Sequence, residues 1–278
     1  MNLKNRLTKL IVYITLSGIS LVFLVPVVMM VSGSLKPDDL VLQEAGQLTG
    51  LLPSEATFLN YQDVFARVSF SRYMINSIFI TGTIVLFGLL VNSLAGYALS
   101  RLHWQGSKLV LTGVIALIII PLEAIAVPLF YEVTLFGWLN TYLVQIVPFI
   151  ANAFSIYLFY TFFLGLPDEL EEAARIDGAK PLRIFFSIAV PNAKPAFATV
   201  AILTFLTQWG SFLWPLMVTH SENVRPLPLG IALFYTLPPL QWGDIFAFGV
   251  MMVLPVLIIF LVFQRWFVQG VASTGIKG

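Results

Sequence analysis

An all-α, polytopic membrane fold, with six transmembrane helices and one charged cytoplasmic loop, is predicted by three observations. Hydrophobic residues make up 58% of the 278 and charged residues only 10%, where soluble domains carry about a quarter charged. Six apolar runs approach the length that crosses a bilayer as helix. Lysine and arginine fall unevenly between the connecting segments, as topology requires of them.

The first apolar run, Leu10 to Val31, follows Lys4, Arg6 and Lys9. Signal peptides share that charged start, and Ser32-Gly33-Ser34 has the small residues of a cleavage region. Their apolar cores are only about 7–15 residues long, so this run is read as a retained first helix. Spans are expected near 10–32, 73–100, 109–130, 139–164, 195–217 and 244–267, within one domain covering 1–278. An even number of spans puts both termini on one side. With the N-terminus inside, eleven of the fifteen Lys and Arg are cytoplasmic; the external four are Lys36, Arg67, Arg72 and Arg225.

The segment 33–72 is expected to form a small external lobe. In it, Asn60-Tyr61 and Val64-Phe65 fit a short helix on the membrane surface. Span two carries Asn76, Ser77, Asn92 and Ser93 with Gly82, Gly88 and Gly96, a pattern of close helix packing and interhelical hydrogen bonds. Span three carries Glu123 between Pro121 and Pro128. An acid at membrane depth is a functional candidate, here either on the transport path or at the outer interface. Span five contains Gln208 and Trp209 within Leu203–Leu216. An aromatic wall beside an amide suits a small-molecule path; the competing reading has Trp214 anchored at the interface and Gln208 paired with another helix. The segment 218–243, with Pro226, Pro228, Pro238 and Pro239, reads as a stiffened outer connector.

The stretch 166–191 differs from all this. A helix is expected from Asp168, the cap, with Glu171 three residues on as in a capping box. Acidic residues suit the positive end of the helix dipole. Glu171 and Arg175 can pair at i,i+4 on the wet face. Gly178 ends the helix, Pro181 opens a second short one, and Pro191 is expected to stop it. Leu170, Ala173 and Ala174 share roughly one face, where small side chains allow close approach. Spacing leaves two readings open, a solvated connector and a docking surface.

These 278 residues contain no cysteine, so disulfides and cysteine metal sites are excluded. A net charge of +1 argues against a nucleic-acid partner. His103 and His220 are far apart, and no metal site is expected. No Gly-x-x-x-x-Gly-Lys-Ser/Thr loop and no nucleophile–base pair occurs, so no catalytic residue is expected.

Glu172-Ala173-Ala174, then Gly178, Ile188 and Pro191, resemble the cytoplasmic EAA loop of importer-type ABC permeases, with Val190 where that family usually has leucine. The string from Pro167 to Ala179 resembles the carbohydrate branch, of maltose type. The run from Trp209 to Leu216 is similar to those permeases, although Gly210 stands where they often have asparagine. The tail 270–278 is similar to theirs as well. The resemblance implies a permease subunit in a bacterial-type inner membrane, with both termini cytoplasmic. It implies a second permease, two ABC ATPase subunits and an external solute-binding protein as partners. ATP and Mg would be bound by the ATPases, with no cofactor on this chain. Coupling to the ATPase would fall to Asp168, Glu172, Ala173, Ala174, Arg175 and Gly178. The tail residues Gly275, Lys277 and Gly278 would touch the ATPases. The cargo would be a carbohydrate or polyol; a non-sugar solute such as a polyamine, or an ion-coupled transporter using Glu123, are the alternatives. Single cysteines replacing Ser54 and Ser221 should react with an impermeant thiol reagent in intact cells, and one replacing Ala179 should not. Labelling at 179 without labelling at 54 contradicts the orientation.

Overall fold

A computed structural model describes residues 3–53 and 55–275, with side chains described from residue 8 to residue 264 except at 48 and 54. Among the described residues every regular element is helical. That follows from the solvent. Apolar surroundings offer no partner for a free N–H or C=O, so a crossing segment must satisfy its own backbone. Four helices are long and apolar enough to cross alone: Thr8–Ser34, Phe70–Arg101, Tyr142–Leu164 and Trp242–Gln264. Counting two bent pairs as one span each gives six.

The bends correct two expected spans. The third was expected as one helix over 109–130, but Ser107–Ile119 and Leu122–Leu135 meet at 105°. Pro121 is the reason. It pushes Ile120 out of the helical region, to φ −82 and ψ 113, and the next helix restarts with Pro121 before its first turn. The fifth was expected over 195–217, but its helix is Lys194–Trp209, bent by 81° from Pro181–Asn192. The helix ends at Gly210, and Leu213–Val218 is a separate short helix. The helix that opens at Pro181 ends at Asn192, one residue past Pro191 and close to the expected stop. A π-helical turn at Phe185–Ala189 precedes Pro191, which then sits at the start of a new turn, where a missing N–H is harmless. The last helix, Trp242–Gly275, is longer than 244–267 at both ends. Gly275 is its final residue; Lys277 and Gly278 lie outside the described residues.

The chain forms two compact units, 1–71 with 230–255 and 72–229 with 256–278. The segment expected as an external lobe lies in the first unit as far as residue 71. Its helix Leu59–Arg67 buries Asn60 and Val64. The Asn60 amide donates to Ser34 O (2.9 Å) and Lys36 O (2.7 Å), closing off two carbonyls after the first helix. Lys36, 2% exposed, pairs with Glu44 at 2.6 Å and donates to Thr49 O. Arg67 donates to Asp244 (2.5 Å), Gln241 and the carbonyls of Leu237 and Pro239. Asp244 is fully buried, so this guanidinium is its charge partner.

The second unit packs around Tyr97, Phe159, Phe163, Ile184, Phe185 and Ala189. Gly96 makes this possible, because a Cβ there would lie 2.6 Å from Phe159 Cβ and 2.8 Å from Tyr160 N. Tyr97 meets Phe163 edge-on at 5.6 Å and Phe185 at 5.3 Å. The amides of span two pair as expected for packing. Asn92 donates to Ile150 O and accepts from Asn152 N, at the break inside Tyr142–Leu164. Asn76 donates to Asn223 O and Arg225 O, and the Ser77 hydroxyl accepts from Leu227 N. Gln145 donates to Val224 O (2.8 Å). Asn140, with φ 60, accepts from the backbone of His220 and Ser221. The segment 219–227 is therefore pinned to the ends of helices 70–101 and 142–150.

Candidate functional site

The charged stretch folds into a nine-residue helix, Asp168–Ile176. Asp168 is its first residue, not its cap. Pro167 occupies the cap position with no side-chain bond, and no capping box forms. Asp168 instead accepts from Arg101. The acids still stand in the first turn, and Arg175 in the last, as the dipole favours.

The far end is a Schellman turn. Gly178 N donates to Arg175 O (3.0 Å) and Ala179 N to Ala174 O (2.9 Å), with Gly178 at φ +76. That conformation is open to glycine and strained for other residues. Ala174 and Ala179 pack against the Tyr97–Phe163–Phe185 core, which fixes the turn in place.

This element has two sides, one facing the core and one facing out. Glu172, Ala173 and Ile176 are exposed, Ile176 at 86%. Ala173 and Ala174 therefore do not share a face as expected: Ala173 faces out and Ala174 faces the core. Glu171 is not on the wet face either. It is 5% exposed, pairs with Arg175 at 3.2 Å as its spacing predicts, and lies 3.6 Å from Arg101. Arg101 was read in the sequence only as one of the cytoplasmic charges. The available signal was an arginine closing a long apolar run, opposite a helix with several acids in its first turn and one base in its last.

The candidate path residues are not brought together. Gln208 is half-buried and lines a shallow recess with Ser77, Thr81, Gln145, Trp214 and Pro226. The recess has about 10 Å³ of room, the scale of one water molecule. Trp209 is buried and stacked on Phe205 at 5.2 Å, away from the recess lining. Trp214 is buried and donates to Val144 O (2.9 Å). Glu123 is exposed, in the first turn after Pro121.

The described residues combine long apolar helices with the short charged helix Asp168–Ile176, closed by the Gly178 turn. The chain belongs to the family of binding-protein-dependent transport system inner membrane components, whose model matches residues 84–273. It is 33% identical over 261 residues to the arabinooligosaccharides transport system permease protein AraQ of Bacillus subtilis, covering 94% of this chain and 92% of that protein. It is 30% identical over 272 residues to the lactose transport system permease protein LacG of Rhizobium radiobacter, covering 98% of each. Its fold matches a chain in the crystal structure of a bacterial ABC transporter involved in the import of the acidic polysaccharide alginate. The TM-score is 0.84 at 26% identity, over 96% of this chain and 99% of that one.

Replacing Gly178 with alanine forces an L side chain into the left-handed region and should destabilise the turn by about 1–2 kcal/mol. Gly178→Pro should cost more, since its ring fixes φ near −65° and removes the N–H that Arg175 O accepts. Limited proteolysis of the purified protein should cut faster at 177–183 in both variants, in that order. Equal cutting in parent and proline variant contradicts the turn.

Proposed function

We propose that this chain is one of two permease subunits of an ATP-driven importer for a carbohydrate or related polyol. The solute is delivered by an external binding protein, and a pair of ABC ATPase subunits does the work. Family membership and the sugar substrates in the relatives' names support the cargo class. They speak against an ion-coupled mechanism through Glu123. ATP and Mg belong to the ATPases; this chain's residues bind neither.

The observation that carries the reading is the split of the Asp168–Ile176 helix. Its inner side is tied to the core by Ala174, Glu171 and the Arg101 contacts. Its outer side offers a carboxylate, a small residue and a bare isoleucine to a partner. Ala173 beside Glu172 lets another backbone come close. Ile176, with Leu182 and Phe186 also exposed, supplies apolar area. A carboxylate at the centre of such a contact meets a basic residue of the ATPase. Such a pair sets register more than net affinity, because desolvation offsets most of the attraction. When ATP binding closes the ATPases, the seated helix moves with them and the attached spans follow. In this orientation both termini are cytoplasmic. The tail at 275–278 is a second contact with the ATPases, and Gln208 lies nearest the path between the permeases.

Glu172→Lys puts like charge against the ATPase groove. It touches no span, so the permease should still insert. ATPase co-purification and ATP-dependent uptake in vesicles should each fall about tenfold or more. Parental co-purification and uptake would overturn the docking role.

A further inference from the structure

Resting on the docking reading above, we propose that Arg101 is the positioning residue through which the docking helix moves the spans. Arg101 is the last residue of the 32-residue helix Phe70–Arg101, yet its side chain is only 7% exposed. Its guanidinium reaches three places. Nε donates to Phe163 O at 2.8 Å. Nη2 donates to Leu166 O, and Nη1 to Asp168 Oδ1. Nε also stands 3.6 Å from Glu171 Oε1.

Two of these acceptors lie at the C-terminal end of helix Ala153–Leu164, where carbonyls are left without intrahelical donors and a cation is favoured. The two carboxylates belong to the first turn of the docking helix. One planar group thus joins the ends of three helices. Lysine could not reproduce this, since an ammonium lacks the fixed fork of donors. Arg101 and Glu171 are buried, so parting them would leave both unpaired in apolar surroundings, whereas Asp168 is largely exposed and ties the clamp to the rim of the docking helix. Behind the clamp, Tyr97 is held between Phe163 and Phe185 with its hydroxyl beside Glu171. The joint is dry on its core side and stiff. A push on the docking helix therefore reaches helices 70–101 and 153–164 together, as one body.

The chain has no cysteine, so labels can be placed at will. Nitroxides on cysteines replacing Gln105 and Lys180, both exposed, report the distance across the joint in the assembled transporter in lipid. In the parent, the distance distribution should be narrow and the same with and without ATP. Arg101→Gln should broaden it. That variant should keep its ATPase on purification but move about tenfold less solute per ATP hydrolysed. A residue needed only for folding would lower the yield of complex and leave that ratio alone. Asp168→Asn, which removes one contact and keeps the shape, should shift both readouts the same way by less. A parental distance that changes with ATP, or an Arg101→Gln complex with parental distances and ratio, overturns the clamp. Loss of the effect at Arg101 with Glu172→Lys still damaging removes the clamp alone; a silent Glu172→Lys removes the docking reading beneath it.

Discussion

Among the described residues, buried charge sits where it can be paired near the end of a helix. An unpaired ion in apolar surroundings costs several kcal/mol, so each buried cation must find its anion and its remaining acceptors. Lys36 with Glu44, and Arg67 with Asp244, meet that condition in the first unit. Arg101 with Asp168 and Glu171 meets it in the second. In each case the cation also takes backbone carbonyls that helix ends or loops leave free. The pairs thereby decide where helices stop and which segments lie beside them. Away from the helix ends, packing rests on dispersion and shape, with the Asn92 amide bonds at the break inside Tyr142–Leu164 as an exception.

Shape in turn depends on small residues beside aromatic ones. Gly96 brings helix 70–101 onto the backbone near Phe159 and Tyr160, and the neighbouring Tyr97 then fills the space with Phe163 and Phe185. The π-helical turn at Phe185–Ala189 lies in the same core and buries both Phe185 and Ala189. This core supports the Asp168–Ile176 helix through Ala174 and Ala179. The turn at Gly178 and the core beneath it hold the nine-residue helix in place, which is what the proposed coupling needs.

What could be read from the sequence was what depends on near neighbours. Apolar runs located the crossing segments, and glycine and proline rules located the turn at Gly178 and the restart at Pro181. Proline inside a span was harder. Pro26 and Pro255 lie within continuous helices, while Pro121 breaks one by 105°. Proline alone does not separate the two outcomes; at Pro121 the preceding Ile120 leaves the helical region, and the helix breaks there. Glu171 was assigned to the wet face because its visible partner, Arg175, is four residues away. Its burial comes from Arg101, which stands sixty-seven residues before Asp168 and gives no local sign. Trp209, read as a wall for a solute, is instead stacked on Phe205; composition cannot tell an aromatic lining from an aromatic packed inside.

The proposed coupling through an exposed helix is tested only in the whole complex. The measurement is ATP hydrolysis by the complete complex in lipid: this chain, its partner permease, the ATPases and the binding protein. It is read across a panel of oligosaccharides and polyols, with polyamines and ionophores as controls. The account predicts low hydrolysis without solute and stimulation by a loaded binding protein for one carbohydrate class, with uptake that stops without ATP and is indifferent to ionophores. Uptake that continues without ATP and collapses with the ion gradient would contradict it.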